Sequence, residues 1–137
     1  MQFHTERMIE SHPSQSPKAF PDVAPVIVAC LDCAQACTTC ADACLNEVHV
    51  DRLIRCIRLN LDCADVCETT GRILSRLSDG GDDNSCLSLI QACAAICRAC
   101  GEECRRHAKM HEHCRVCGEA CQACEEACGK LLSSVRH

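Results

Sequence analysis

Cysteine is the residue type in this sequence with the most chemical potential. The stretch CLDCAQACTTCADAC, residues 30–44, and the stretch CRVCGEACQACEEAC, residues 114–128, place thiols at the same successive steps of three, four, three and four. Residues three or four apart on an α-helix lie side by side, and thiolate sulfur is a ligand for soft metal ions. The spacing therefore predicts metal-binding thiols along one face of a helix.

Steps of three and four are also the a and d positions of a heptad, which form a single stripe on a helix. The pattern predicts four helices, at about 22–45, 49–77, 83–107 and 109–133. All 18 cysteines lie on the four stripes. They are Cys30, Cys33, Cys37, Cys40, Cys44, Cys56, Cys63, Cys67, Cys86, Cys93, Cys97, Cys100, Cys104, Cys114, Cys117, Cys121, Cys124 and Cys128.

Four amphipathic helices with short connections predict an all-α fold, an antiparallel four-helix bundle with a cysteine-lined core. The bundle is expected to span residues 22–137. Residues 1–21 are polar and contain three prolines, which predicts an N-terminal extension or flap. The clearest break between helices is the loop SDGGDDNS, residues 78–85, whose last residue, Ser85, is a good helix cap.

Net charge and hydropathy limit the classes of molecule that the protein could bind. The net charge of −5 leaves no basic footprint for nucleic acid. The sequence shows no apolar signal region at its start and no apolar run that approaches the length of a membrane span. We therefore expect a cytoplasmic protein with reduced thiols and no membrane partner. An exported protein whose signal peptide had been removed would show the same sequence features.

The softness of sulfur decides which metal fits. An almost all-thiolate interior favours Cu(I), with zinc and iron–sulfur clusters as rivals. Zinc prefers discrete tetrahedral sites, and ferredoxin clusters use a spacing in which one cysteine precedes a proline. No cysteine here precedes a proline. A linear sulfur–metal–sulfur unit spans about 4.5 Å, which suits pairs on adjacent helix positions.

The number of thiols bounds the capacity. With two unshared thiolates per ion, 18 thiols hold about 9 Cu(I) ions, and with each thiolate bridging two ions they hold about 18. Equal numbers of Cu⁺ and thiolate leave no net buried charge, which favours the larger number. Loading must release protons, because the ligand is the thiolate.

An antiparallel bundle would have two different ends. An apolar end is formed by Val23, Val26, Leu74, Leu77, Ile90, Leu131 and Val135. The opposite end, the mouth, carries Cys44, His49, Leu53, Cys104, His107, Met110, His111, His113 and Cys114. Imidazole and thioether bind Cu(I), so the mouth is predicted to admit copper, with His107, Met110 and His111 as ligands. The alternative is that these side chains only decorate a polar turn.

Two histidines at the mouth, His111 and His113, are two residues apart in the sequence. On a regular helix His111 and His113 cannot both point inward, so at least one is expected to lie outside the site. Deeper in the stripe, Asn60 stands where a thiol is expected. It is either a weak oxygen ligand or spacer, or a buried amide bonded to backbone or water.

Cysteines at heptad positions on all four helices and a His/Met mouth resemble the bacterial copper storage proteins, of the cytosolic type that lacks a signal peptide. The resemblance implies a homotetramer of four-helix bundles that stores many Cu(I) ions per chain. It also implies that Asn60 touches copper near the mouth. The expected function is cytosolic copper storage and detoxification, with copper chaperones or low-molecular-weight thiols as candidate partners.

Other functions stay open at this point. The main alternative is a zinc or general soft-metal buffering protein. A thiol redox enzyme would need one privileged CxxC near a βαβ pattern, and the sequence suggests neither, so no enzyme activity is expected. A disulfide-stapled bundle is a further alternative. A second apolar stripe on helix 2 would either form a tetramer interface or widen the core; it comprises Val50, Ile54, Ile57, Leu61 and Ala64.

Overall fold

The computed structural model of the protein describes residues 4–13, 22–76 and 83–135. These residues form five α-helices and no strand. The helices are α1 (His4–Glu10), α2 (Ala24–Leu45), α3 (Ile54–Ser75), α4 (Asp83–Arg106) and α5 (Glu112–Ser133). A short 3-10 helix, Val50–Leu53, leads into α3.

Helices α2 to α5 form the bundle. Around its circumference α2 packs on α3, α3 on α4, α4 on α5, and α5 back on α2. Each connection joins neighbouring helices, so successive helices run antiparallel. The two diagonal pairs, α2 with α4 and α3 with α5, face each other across the core. The predicted all-α four-helix bundle is confirmed.

Local chemistry explains where the bundle helices begin and end. Pro25 lies in the first turn of α2, where its missing N–H costs no hydrogen bond. Asn46 ends the same helix, because its side-chain amide donates to the Asp42 carbonyl at 2.8 Å. The last turn of α4 carries Arg105 and Arg106, whose charges favour the negative end of the helix dipole.

Two helix starts differ from the sequence-based boundaries, whereas the start of α4 agrees with them. The segment predicted to begin helix 2 is a 3-10 turn, and His49 precedes it as an exposed residue rather than a member of the stripe. Helix α5 begins at Glu112 and not near residue 109, because His111 is extended, with φ −138° and ψ 115°. Helix α4 begins at Asp83, so Ser85 lies inside the helix and does not cap it. Residues 77–82, including Leu77, lie outside the described residues.

The core consists mainly of sulfur. All 18 cysteines are buried and unpaired by disulfides, and none is more than 6% exposed. At the apolar end Val26, Leu74, Ile90 and Leu131 are buried around the thiols. Val23 and Val135 pack against the same cluster while partly exposed. The described part of the apolar end therefore closes the core with hydrocarbon.

Two glycines let α4 and α5 approach closely. A Cβ atom on Gly101 would lie 3.2 Å from the Cβ of Cys121, and one on Gly118 would lie 3.6 Å from the Cβ of Cys104. A larger residue at Gly101 would push the neighbouring cysteine away, because contacts this short are tighter than ordinary packing. The close approach brings the thiols of the two helices into one core.

The described part of the N-terminal segment contains a short helix, α1. Helix α1 packs on α2, and Ile9 contacts the bundle core while partly exposed. Met8, two residues before the end of α1, is an exposed side chain. The described part of the predicted extension is thus held against the start of the bundle.

By length and composition, α2 alone among the described helices could cross a membrane. The sequence analysis found no such run, but cysteine and alanine make this helix apolar. Its stripe of five cysteines is buried against the other helices. These features are those of a core helix in a bundle.

Candidate metal centre

The thiols form a continuous network through the core. Sulfur atoms lie close along one helix, as between Cys33 and Cys37, whose Sγ atoms are 3.8 Å apart. They lie equally close between neighbouring helices, as for Cys67 and Cys97 at 3.5 Å. Diagonal helices also meet, with Cys67 and Cys124 at 3.9 Å. Each thiol in this network therefore faces potential partners along and across the bundle.

Several sets of four side chains place their ligand atoms within 4.8 Å of one another. Five of these sets are Cys30, Cys67, Cys93 and Cys124; Cys33, Cys63, Cys67 and Cys97; Cys33, Cys37, Cys63 and Cys121; Cys37, Cys100, Cys117 and Cys121; and Cys40, Cys44, His113 and Cys114. Cys33, Cys37, Cys63, Cys67 and Cys121 each belong to two of them. Shared thiols make a ladder of overlapping sites, and not a row of separate ones.

The sulfur separations favour bent coordination. With metal–sulfur bonds of roughly 2.3 Å, three sulfurs around one ion lie about 4.0 Å apart, whereas a linear pair spans about 4.5 Å. The Sγ atom of Cys33 is 3.8 Å from each of the Sγ atoms of Cys37, Cys63 and Cys121. The sets of four, whose ligand atoms lie within 4.8 Å of one another, leave room for linear pairs as well as for these closer sulfurs. Their spacing fits three-coordinate or bridged ions.

Burial and hydrogen bonding shift the thiol pKa values in both directions. Burial, and then the neighbouring Cys40, raise the pKa of the Cys44 thiol to about 11. Hydrogen bonds with Cys124 and Cys128 lower the pKa of Cys30 to about 6, although burial opposes that change. Cys44 is therefore a neutral thiol at neutral pH, and a metal ion that binds its sulfur must displace a proton.

Asn60 lies inside the sulfur network, fully buried. Its Oδ1 accepts from the Sγ of Cys100 at 3.1 Å, of Cys117 at 3.3 Å and of Cys104 at 3.5 Å. Its Nδ2 donates to the Sγ of Cys56 at 3.7 Å. The side-chain amide is thus bonded to four thiols, on both its oxygen and its nitrogen. An oxygen held among three sulfurs is placed to contact an ion bound there.

At the mouth, His113 is the histidine that reaches the thiols. Its Nδ1 is 3.5 Å from the Sγ of Cys40 and 3.6 Å from the Sγ of Cys114. Burial alone would lower the pKa of His113, but its hydrogen bonds with Cys40 and Glu47 raise the pKa above its ordinary value. His113 thus joins Cys40, Cys44 and Cys114 in a set of one imidazole and three thiols.

One carboxylate binds two histidines at the mouth. The Oε2 atom of Glu47 lies 2.9 Å from His113 Nε2 and 2.9 Å from His111 Nδ1. The two rings stack, with centroids 5.3 Å apart and an angle of 21° between their planes. Because His111 precedes α5 in an extended conformation, both rings face the same carboxylate. Only His113 also reaches the thiols, so the expectation that at least one of the two histidines lies outside the site stays a prediction.

The other predicted mouth ligands lie farther out. His107 Nε2 is 2.9 Å from Oε2 of the buried Glu103. Oε1 of that carboxylate also pairs with Arg55 at 3.4 Å and with Arg106 at 3.3 Å. Met110 is 71% exposed in the turn between α4 and α5, where its N–H bonds the His107 carbonyl. A side chain this exposed does not line the thiol core, and its role as a ligand at the mouth stays a prediction.

Comparison with known proteins places this arrangement. The family model described as "Copper storage protein" matches residues 21–133. The chain belongs to the copper storage protein family. The resemblance inferred from the cysteine stripes is confirmed.

Solved structures of copper storage proteins share the fold. Ccsp from Streptomyces lividans, described as loaded with 10 copper equivalents, is 50% identical with a TM-score of 0.91, over 96% of this chain and 99% of that chain. BsCsp3, described as a Cu(I)-bound copper storage protein, is 36% identical with a TM-score of 0.72, over 80% of this chain and 97% of that chain. The cysteine-rich protein YhjQ of Bacillus subtilis (strain 168), itself described as uncharacterized, is 44% identical over 41 residues. That match spans 30% of this chain and 38% of YhjQ.

Sequence reasoning about this member of the copper storage family missed three mouth residues. His113 was named at the mouth but not among the ligands, and Glu47 and Glu103 were not considered. The available signal was the adjacency of His113 to Cys114. A regular helix through residues 111 and 113 lets only one of these histidines point inward, and the sequence does not say which. The carboxylates gave no signal, since Glu47 lies in a turn and Glu103 is one residue from the stripe.

Proposed function

We propose that this protein stores Cu(I), holding many ions per chain on the thiolates of its core, and thereby also limits copper toxicity. The single observation that carries the proposal is the sharing of thiols between overlapping four-ligand sets. A ligand that bridges two ions is needed in both, so the sets cannot fill as independent sites. Such a ladder suits a soft monovalent ion that accepts two or three sulfurs.

The alternative function, zinc or general soft-metal buffering, makes a different demand on the core. Zinc needs closed tetrahedral sites, and each four-thiolate site would bury a net charge of about −2, which is costly. Anaerobic titration with Cu(I) and, in parallel, with Zn²⁺ separates the two functions. Storage requires many Cu(I) ions per chain, whereas zinc would stop at the few sets that share no thiol.

The proposed location is the cytosol. All 18 cysteines are free thiols, a state that a reducing compartment maintains. A five-copper structure of the Streptomyces lividans relative, 58% identical, is described as that of a cytosolic copper storage protein. Copper would arrive from copper chaperones or low-molecular-weight thiols, and this protein would act as a binding protein and not as an enzyme.

The ligands proposed for Cu(I) are the 18 cysteines with Asn60 in the core and His113 at the mouth. His107 and His111, each bonded to a carboxylate through one ring nitrogen, keep a second nitrogen for transient contact with copper. Met110, exposed in its turn, is left out of this set. Entry from the mouth is favoured because the described part of the opposite end is filled with hydrocarbon.

His113→Ala is expected to slow Cu(I) uptake from a chelator about tenfold, which corresponds to a barrier higher by roughly 1.4 kcal/mol. The reason is that His113 is the imidazole in contact with Cys40 and Cys114. The end point should change by no more than about two ions, because the other thiols remain. Stopped-flow absorbance in the copper–thiolate band measures the rate.

The matched control is Met110→Ala, which removes an exposed side chain at the same end and should leave the rate unchanged. The double variant His107→Ala with His111→Ala should have an uptake rate between those of His113→Ala and Met110→Ala. Unchanged kinetics in His113→Ala would show that His113 takes no part in copper entry.

We also propose a homotetramer, supported by one face of α3. Of the second stripe, Ile57 and Ala64 are buried in the chain, whereas Ile54 and Leu61 are each 49% exposed. The two exposed side chains are seven residues apart and so share a helix face. Exposed apolar residues aligned in this way are typical of an interface between subunits.

Ile54→Lys with Leu61→Lys is expected to convert the tetramer to smaller species, because each change places a charge in an apolar contact. Sedimentation velocity of the reduced apo protein measures the change in mass. Val116→Lys, at a residue 45% exposed on α5, is the control and should sediment like the wild type. A monomeric wild-type protein would refute the proposal.

A further inference from the structure

The two ring nitrogens of His113 have different partners. Nε2 lies 2.9 Å from Oε2 of Glu47, and Nδ1 lies 3.5 Å from the Sγ of Cys40 and 3.6 Å from that of Cys114. The ring therefore spans the gap between a carboxylate in the turn after α2 and the outermost thiols of the core. Nε2 is the nitrogen nearer the surface, and Nδ1 is the nitrogen nearer the candidate copper site.

The partner of Nε2 determines where the proton sits on a neutral ring. An ionised carboxylate can only accept hydrogen bonds, so Nε2 must carry the hydrogen that it donates to Glu47. Nδ1 is then the nitrogen with the free lone pair, and it is the one directed at the two sulfurs.

Glu47 also limits how far the ring can turn. Its Oε2 also lies 2.9 Å from His111 Nδ1, and the His111 ring stacks on that of His113. The carboxylate belongs to the turn that follows α2, whereas both histidines belong to the start of α5. Glu47 thus links the two chain segments that flank the mouth, and its contacts with both rings hold them in the stacked arrangement.

We infer that Glu47 is a positioning residue for copper binding: it holds His113 in the tautomer and orientation that present the Nδ1 lone pair to an ion bound by Cys40, Cys44 and Cys114. The inference rests on the proposed function, because it takes His113 as a Cu(I) ligand. Metal-bound histidines commonly donate their other N–H to a carboxylate, which fixes the ring and makes it a stronger ligand. Glu47 itself touches the ring and not the ion.

The tautomer is tested on the apo protein, before any copper is added. Nitrogen-15 NMR of the histidine rings is recorded at alkaline pH, where the ring is neutral, and His113 is assigned with a His113→Ala sample. The wild type should show Nε2 protonated and Nδ1 unprotonated. Glu47→Ala should show a mixture of tautomers, whereas Glu47→Gln should keep the wild-type form, because the amide oxygen still accepts from Nε2. Far-UV circular dichroism confirms that the variants are folded.

Copper binding is tested on the same samples by anaerobic titration with Cu(I) against a competing chelator. The ions that shift the His113 Nδ1 resonance should bind about 10- to 100-fold more weakly in Glu47→Ala, the range seen when such supporting groups are removed. Glu47→Gln should recover part of the loss. Glu112→Ala is the matched control, since Glu112 neighbours His113 but pairs with Arg115, and it should behave as the wild type.

The outcomes distinguish the inference from the function on which it rests. A wild-type protein that takes up no Cu(I) would overturn the storage function and any role of Glu47 in copper binding, whereas the tautomer comparison would still show whether Glu47 orients the His113 ring. If copper is stored normally but Glu47→Ala keeps the wild-type tautomer and affinity, Glu47 does not position His113. Equal losses in Glu47→Ala and Glu112→Ala would also overturn the inference, because they would reflect only the charge at the mouth.

Discussion

One chain of this protein is expected to take up well over 9 Cu(I) ions, approaching one ion for each of its 18 thiols. The reason is electrostatic. Two unshared thiolates per Cu⁺ leave about one negative charge per ion in a buried core, whereas one bridging thiolate per ion leaves none. The overlapping sets in the core, with five cysteines common to two sets each, provide the bridging geometry. Anaerobic titration against a competing chelator, followed by metal analysis of the desalted protein, measures the capacity.

Removal of shared thiols tests the ladder itself. Cys63→Ala with Cys67→Ala should lower the capacity by only about two ions, one for each thiol lost, because the neighbouring sulfurs can bridge differently. In a protein with discrete four-thiolate sites the same change would abolish whole sites. Cys30→Ala with Cys93→Ala, which removes two thiols from one set, is the matched control and should cost a similar number. Saturation of the wild type at four or five ions would refute storage.

The apolar end is expected to supply much of the stability of the apo protein. Leu74 and Leu131 are buried there among the thiols, so Leu74→Ala and Leu131→Ala should each lower the free energy of unfolding by about 2–5 kcal/mol. Denaturant unfolding of the reduced apo protein, followed by far-UV circular dichroism, measures the loss. Leu45→Ala removes an exposed leucine at the end of α2 and should change the free energy by no more than about 0.5 kcal/mol.

The same measurement tests whether the fold precedes the metal. Reduced cysteine packs as a small hydrophobic residue, so the helices are expected to form before copper arrives, unlike those of zinc fingers. The two leucine variants should take up copper at the wild-type rate, because they lie at the end opposite the mouth. A random-coil spectrum for the reduced wild-type apo protein would contradict this expectation.

The sequence was sufficient to predict the helical bundle and its sulfur core. A step of three or four residues is a property of the α-helix itself, so the stripe that carries Cys30, Cys33 and Cys37 could be assigned without knowledge of any neighbouring helix. Four such stripes have few ways to bury their thiols other than against each other. The nature of the metal followed from the same residues, because the softness of sulfur does not depend on the fold.

Which side chains at the mouth reach the thiols depended on the backbone geometry at the start of α5. Whether His113 or Met110 meets the thiols is decided where α5 begins. The extended conformation of His111 starts that helix at Glu112, which aims His113 at the core and leaves Met110 in a turn. A shift of one or two residues in a helix start rotates each side chain by about 100° per residue. Sequence patterns locate helix ends only to within a few residues.

Contacts between helices were decided by the tertiary structure alone. The three thiols that donate to Asn60 come from α4 and α5, and the carboxylate that holds His113 comes from the turn after α2. These pairings depend on the relative rotation and shift of packed helices, which the close approach at Gly101 helps to set. The period of a stripe is local and contains no information on that shift. The sequence by itself therefore determined which residues face the core, and the tertiary structure decided which of them meet.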